Sequence, residues 1–374
     1  MRVIFTCGGT AGHINPALAL AKGVQTRKPG TEVLFVGAAG DSMESHLVPQ
    51  AGFELRQVNI NSFRRRLNAE ALRHNLMAAK NIFRSRRQAA AILDEFRPDL
   101  VVGTGGFASY PVTREAARRG IPTAIHESNA VPGLTTKRLA KHVDKVMVGM
   151  AGDVAAHYPD PKKVVVTGTP VRPGFYALTR KEARAKLGMT DDKPLVLSFF
   201  GSLGAEVMNG HMIPFLRQEE RDGFPFRHIH GAGNYFSSLQ AGLGRDWSGQ
   251  DHPGVELLEY IYDMPTVMAA ADVVICRSGA STISELTALA KPSILIPSPN
   301  VTGDHQTKNA KVVADAGGAI LLPEGEATPQ RLYQEVTSLL ADSPRRKAMG
   351  EAVAKLAPPD ATALILDTLL ALVP

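Results

Sequence analysis

Short runs of Val, Ile, Leu and Phe alternate with longer stretches of helical spacing along the whole chain, and no other feature restricts the fold so tightly. The apolar runs fall at 3–6, 32–36, 100–102, 123–125, 145–148 and 164–166, then at 195–199, 226–230, 255–258, 273–275, 293–296 and 319–321. A short run that is apolar at consecutive positions suits a strand buried on both faces. Helices between such strands leave parallel pairing as the natural solution. The expected class is α/β, with doubly wound parallel sheets that bind ligands beyond the carboxyl ends of their strands.

The pattern restarts part-way. The first run enters Gly8, Gly9 and Gly12 and leaves as a helical pattern, and the run at 195–199 enters Gly201-Ser202-Leu203-Gly204 in the same way. Two similar halves follow, joined near residues 160–175, where Pro159, Pro161, Pro170 and Pro173 cluster as a linker requires. The reading is an N-terminal domain over 1–162 and a C-terminal domain over 163–356. An apolar helix at about 357–374 is expected to pack back on the first domain.

The chain carries a formal charge of +6, unevenly spread: residues 1–160 hold 21 Lys and Arg against 13 Asp and Glu, and the remainder is slightly acidic. The basic half is expected to meet something anionic, a membrane surface or a nucleic acid. Recognition motifs and aromatic stacking clusters for nucleic acid are missing from the sequence, so no nucleic acid is expected. Two cysteines, Cys7 and Cys276, are too few for a disulfide framework or a zinc site. With no leader pattern and no apolar run of membrane-spanning length, a reducing cytoplasm is the expected compartment.

Several stretches at strand ends carry groups suited to chemistry. In Gly8-Gly9-Thr10-Ala11-Gly12-His13 the glycines admit a ligand close to backbone N–H groups, and the helix start adds partial positive charge. The spacing is not Gly-x-Gly-x-x-Gly. His13 reads either as a cap on a tight turn or as a general base, since imidazole titrates at about 6.5. Gly103-Thr104-Gly105-Gly106-Phe107 and His126-Glu127-Ser128-Asn129 end the strands at 100–102 and 123–125. In the second half, Arg277-Ser278-Gly279-Ala280-Ser281-Thr282-Ile283-Ser284-Glu285 follows a strand. Ser281 or Ser284 is a candidate cap, the helix amides are candidates for a phosphate, and Glu285 for a ribose diol. Thr282 to Glu285 also fits a capping box. Gly303-Asp304-His305-Gln306-Thr307-Lys308-Asn309-Ala310 offers sugar-binding groups. His305 beside Asp304 lacks a second ligand cluster nearby in sequence, so no metal and no cofactor are expected.

Taken in order, Gly-Gly-Thr-x-Gly-His-x-x-Pro, Gly-Gly-aromatic, His-Glu-x-Asn, Gly-x-Pro-Val-Arg, Arg-Ser-Gly-Ala-x-Thr-x-x-Glu and His-Gln-x-x-Asn-Ala resemble the MurG family, the peptidoglycan N-acetylglucosaminyltransferases of bacteria. The resemblance runs from Gly8 to about Ala316. It implies a GT-B arrangement, two Rossmann-like domains facing across a cleft. It further implies UDP-N-acetylglucosamine as donor, with Glu285 at the ribose and Ala280, Ser281, Thr282, Ile283 and Ser284 at the nucleotide and diphosphate. Arg172 and Ser202 would reach the diphosphate, Ile261 the uracil through its backbone, and Gln306 with His305 the sugar. Thr10, Ala11, Gly12 and Asn129 would complete the donor site, and His13 would sit by the acceptor. Phe200, Phe107, Ser128 and Thr169 depart from the family's usual glycine, tyrosine, glutamine and asparagine.

The implied acceptor is lipid I in the cytoplasmic leaflet. Its 4-hydroxyl would attack the anomeric carbon to give lipid II with inversion, His13 taking the proton with help from Glu127. Leu72, Leu76, Ala79 and Phe83 fall on one helical face, flanked by Arg64, Arg65, Arg66, Arg73, Lys80, Arg84, Arg86 and Arg87. This pattern suits peripheral attachment to an anionic membrane at the cytoplasmic face, and equally an ordinary helix burying its stripe in the core. The rival functions are a related transferase with another lipid acceptor, a UDP-sugar epimerase of similar build, and a non-catalytic UDP-sugar-binding regulator.

Overall fold

A computed structural model describes residues 1–60, 69–151, 153–244, 247, 254–356, 358 and 360–373. The chain forms two compact units: Met1–Val171 together with Asp360–Pro374, and Arg172–Pro359.

Unit 1 is built on seven strands: β1 (Arg2–Thr6), β2 (Glu32–Ala38), β3 (Glu54–Val58), β4 (Leu100–Gly103), β5 (Thr123–Glu127), β6 (Lys145–Val148) and β7 (Val164–Val166). They form one parallel sheet in the order β3-β2-β1-β4-β5-β6-β7. Alternation along β1 divides its side chains between two cores. Val3 and Phe5 enter one, with Leu20 of the helix Ala11–Arg27 and Ile365, Leu366 and Leu369 of the helix Ala361–Leu370. Ile4 enters the other, with Ile92 and Leu93 of the helix Ala69–Phe96 and Val112 of the helix Ser109–Arg118. Each such fully buried aliphatic side chain contributes about 1.5–3 kcal/mol. An ion pair between Arg27 and Asp367 adds to the docking of the last helix.

Two details differ from the sequence reading. β3 is a strand that the apolar runs do not mark, because only Leu55 and Val58 of ELRQV are aliphatic and it lies at the sheet edge. The division between units falls after Val171 rather than after residue 162, because β7 pairs with β6.

Unit 2 holds β8 (Leu195–Phe199), β9 (Arg227–Gly231), β10 (Val255–Leu258), β11 (Val273–Cys276), β12 (Ser293–Leu295) and β13 (Ala319–Leu321). They form a parallel sheet in the order β10-β9-β8-β11-β12-β13. In each sheet the winding reverses once, between β1 and β4 and between β8 and β11, and a ligand crevice opens at such a reversal.

Candidate active site

In unit 1 the reversal brings together the turns after β1 and β4. Thr10 precedes the helix Ala11–Arg27 in extended conformation, and its carbonyl accepts from the backbone N–H groups of His13 and Ile14 at 3.0 and 3.2 Å. The turn is clamped from below by a residue the sequence reading passed over. Glu44 is fully buried and accepts from Gly9 N–H at 3.2 Å and Ala38 N–H at 3.1 Å. Gly105 and Gly106 both have positive φ, and a Cβ on Gly106 would overlap the Gly8 carbonyl. The two glycine turns therefore interlock.

His13 lies half-buried in this interlock. Its Nδ1 is 3.0 Å from the Gly8 carbonyl and 3.3 Å from Thr10 Oγ1. A carbonyl only accepts, so Nδ1 carries the hydrogen and Nε2 keeps its lone pair. Thr104 Oγ1 donates to the His13 carbonyl at 2.7 Å and ties this residue to the β4 turn. Thr10 is exposed and Gly12 half-buried; the side chain of Ala11 lies outside the described residues.

Glu127 is differently employed. One oxygen accepts from the N–H of Asn129 and from its side-chain amide at 3.2 and 2.9 Å, the other from Gly133 N–H at 3.1 Å and Thr136 Oγ1 at 2.6 Å. With both oxygens engaged, the carboxylate organises the loop that carries Asn129 and has no spare lone pair aimed outward. Glu127 is thus held as the organiser of that loop. His126 is buried, with Nε2 2.9 Å from the Gly168 carbonyl, and desolvation lowers its pKa and keeps it neutral.

In unit 2 the helix Ala280–Ala288 begins at Gly279 with no side-chain cap. Neither Ser281 nor Ser284 caps it, and the Thr282–Glu285 capping box does not form. The Ser284 hydroxyl instead donates to the Ala280 carbonyl at 2.9 Å. The uncapped start leaves first-turn N–H groups to an anion. Ile283 is 1% exposed, and its N–H bonds the Gly279 carbonyl at 3.0 Å. Glu285 is half-buried, and its carboxylate has no hydrogen-bond partner among the described residues. Desolvation pushes its carboxyl up to about 7, against the opposing charge of Arg172. Arg172 is exposed and lies 5.4 Å from the Phe175 ring.

Gln306 shows which of its atoms is available. Its Oε1 accepts from Ser298 N–H at 2.9 Å, so the amide nitrogen is the end left for a ligand. Ser278 Oγ fixes the same residue by donating to the Gln306 carbonyl at 2.8 Å. Beside it, His305 opens the helix His305–Asp315 after Asp304, which has φ of 52°. Ser202, exposed after β8, lines a cavity of about 610 Å³ with Leu203, Gly233, Asn234, Leu258, Glu259, Tyr260 and Tyr262. Tyr262 is 86% exposed, which is unusual for a large aromatic ring, and was not singled out in the sequence. Ile261 between the tyrosines is buried against Gly231. Phe200, the departure from a usual glycine, fills the core beneath this turn and supports Arg277, whose guanidinium carbon lies 5.9 Å from the ring centroid.

Residues 3–148 match the glycosyltransferase family 28 N-terminal domain, and residues 195–365 the family 28 C-terminal domain. Among curated proteins, the chain is 40% identical over 368 residues to the UDP-N-acetylglucosamine--N-acetylmuramyl-(pentapeptide) pyrophosphoryl-undecaprenol N-acetylglucosamine transferase of Acetivibrio thermocellus, covering 98% of this chain and 97% of that one. It is likewise 40% identical over 371 residues to the transferase of the same name from Desulforudis audaxviator, covering 98% and 97%. Among solved structures it superposes on MurG of Acinetobacter baumannii with a TM-score of 0.78 at 27% identity, covering 99% of each chain.

Proposed function

The chain belongs to the MurG transferases of glycosyltransferase family 28, and on that premise we propose how its own residues divide the reaction. The reaction moves N-acetylglucosamine from UDP-N-acetylglucosamine to the muramyl 4-hydroxyl of lipid I, forming lipid II. Unit 2 takes the donor. The uncapped amides of Ala280, Ser281 and Thr282 and the charge of Arg172 receive the diphosphate, with Ser202 adding a hydroxyl. Glu285 accepts from the ribose diol, the Gln306 amide and His305 read the sugar, and the backbone about Ile261 meets the uracil. Thr10, Ala11, Gly12 and Asn129 are proposed as further donor contacts.

The observation that carries the mechanism is the commitment of His13 Nδ1 to the Gly8 carbonyl. It leaves Nε2 as the one ring nitrogen able to take a proton. The acceptor 4-hydroxyl attacks the anomeric carbon as the bond to UDP breaks, and its proton passes to Nε2. Attack opposite the leaving group converts an α-linked donor into a β-1,4 product. Negative charge grows on the departing diphosphate, where helix amides and a guanidinium act most strongly.

Among the described residues no helix is long and apolar enough to cross a membrane. Attachment is proposed to be peripheral, at the cytoplasmic face, through the basic half of the chain. Arg64, Arg65 and Arg66 lie outside the described residues, and so do the side chains of Leu72, Leu76, Ala79 and Phe83 with those of Arg73 and Lys80. Arg84, Arg86 and Arg87 are exposed.

The test is UDP release from UDP-N-acetylglucosamine, with and without a short-chain lipid I analogue. Release that depends on the acceptor and falls about 10²–10⁴-fold in His13→Ala is expected. Acceptor-dependent release at full rate in that variant would remove His13 as the base. Donor binding without acceptor-dependent release would transfer the reading to another acceptor.

A further inference from the structure

Five polar side chains form an unbroken line through the core of unit 2, and none has a part in the mechanism above. Asn209 and Glu219 come from the helix Glu206–Arg221, Ser198 from β8, and His228 and His230 from β9. All are at most 3% exposed. Glu219 Oε1 lies 2.6 Å from His228 Nδ1, and His228 Nε2 lies 2.7 Å from Ser198 Oγ. Ser198 Oγ is 2.6 Å from His230 Nδ1, and His230 Nε2 is 2.9 Å from Asn209 Oδ1. The Asn209 amide nitrogen then donates to the carbonyls of Ala205 and Ala232 at 3.0 and 3.1 Å.

These last two acceptors fix the hydrogens of the whole line. A carbonyl cannot donate, so the Asn209 nitrogen faces both and its oxygen faces His230. His230 must donate from Nε2. Burial lowers its pKa to about 3, so it is neutral and accepts at Nδ1. The single hydrogen of Ser198 goes there, and the Ser198 oxygen accepts from His228 Nε2–H. Only one proton is left without a fixed owner, and it is shared between Glu219 and His228 Nδ1.

The fixed end of the line lies at the donor pocket. Ala205 follows the turn bearing Ser202 and Leu203, and Ala232 precedes Gly233 and Asn234; these four residues line the 610 Å³ cavity. The two turns are in close contact. Asn234 N–H donates to the Leu203 carbonyl at 3.0 Å, and a Cβ on Gly204 would overlap the Ala232 carbonyl. Every other polar atom named along the line is paired, Glu219 Oε2 alone having no hydrogen-bond partner among the described residues, and losing one member leaves its neighbours unpaired.

We propose that Glu219, His228, Ser198, His230 and Asn209 are positioning residues for the donor, latching these two turns at the spacing the nucleotide requires. The proposal rests on the reading that this pocket takes UDP-N-acetylglucosamine. The experiment measures UDP-N-acetylglucosamine binding by calorimetry, and the melting temperature, in the full chain and four variants. Ser198→Ala cuts the line in the middle, and Asn209→Asp still accepts from His230 but cannot donate to the carbonyls. Both are expected to bind the donor at least about tenfold more weakly well below their melting temperatures, with the KM for the acceptor unchanged. Glu219→Leu is expected to weaken binding similarly. Glu219→Gln, whose amide can donate to His228 Nδ1, is the conservative rescue and is expected to bind within about twofold of the wild type. Should Ser198→Ala fail to fold, Asn209→Asp carries the same test at the other end. Variants that melt lower yet bind the donor normally would reduce the line to a core network and overturn the proposal, as would Glu219→Gln binding as poorly as Glu219→Leu. A wild-type chain that does not bind the donor would instead overturn the assignment of the pocket.

Discussion

Replacing Glu285 with glutamine should make the protein more stable and a poorer binder of its donor. The carboxyl of Glu285 is held up at about 7 from an ordinary 4.5, chiefly by desolvation. An unfolded chain releases that proton near 4.5 and the folded one only near 7, so stability falls as pH rises between the two values and the loss is complete above 7. At about 1.4 kcal/mol per pH unit the upper limit of the loss is about 3 kcal/mol. Because the side chain is half-buried and partly screened by solvent, about 1–2 kcal/mol is the working figure. Glutamine has nothing to ionise, so Glu285→Gln should raise the melting temperature at pH 8 by about 3–6 °C, and by much less at pH 5. Its donor binding should move the other way. Hydrogen bonds from a ribose diol to a carboxylate are worth about 1.5–3 kcal/mol, a loss of about 10–100-fold in affinity. Scanning calorimetry at both pH values, with titration of UDP-N-acetylglucosamine at pH 8, reads both effects. An equal gain at pH 5 and pH 8, or none at either, would show that the carboxylate is not under desolvation strain. Unchanged affinity would remove it from the ribose.

Glu127→Gln places an amide where four donors converge, so it is expected to lower the melting temperature by several degrees while the folded fraction keeps most of its turnover, as thermal melts beside initial rates will tell. A large fall in turnover without thermal loss would restore Glu127 to the chemistry. Gly106→Ala drives a Cβ into the Gly8 carbonyl at a positive φ, and it should cost more than about 3 kcal/mol or prevent folding of unit 1, measured by denaturant titration. Leu76→Ser with Phe83→Ser should weaken sedimentation with anionic vesicles while leaving the melting temperature unchanged; undiminished binding would exclude the stripe as the membrane contact.

The strands were legible wherever both faces are covered, because a strand such as Val3–Phe5 must then be apolar at every position. β3 escaped because an edge strand needs only part of that pattern. The turns of the site were legible through their glycines, yet the residues that hold them were not. Glu44 meets Gly9 across 35 positions of sequence, and nothing local marks a lone glutamate as fully buried. The capping box failed for a different reason: Gly279, nearly two turns before Glu285, already starts the helix, and Glu285 is left without the hydrogen bond that the box would have given it. His228 and His230 carry a signal, since two histidines at strand period two face the same way. Their partners Glu219 and Asn209 sit on a neighbouring helix, and only the packed structure joins them.

The helix Ala361–Leu370 has a consequence for how the polypeptide is made. Ile365, Leu366 and Leu369 belong to the same core as Val3 and Phe5, so β1 waits during synthesis for a helix that begins at Ala361. All of unit 2, a contiguous stretch from Arg172 to Pro359, is synthesised in that interval. Throughout translation an apolar flank of the helix Ala11–Arg27 stays uncovered. Nascent chains stalled before residue 361 lack that cover and are therefore the form of this protein most in need of a chaperone.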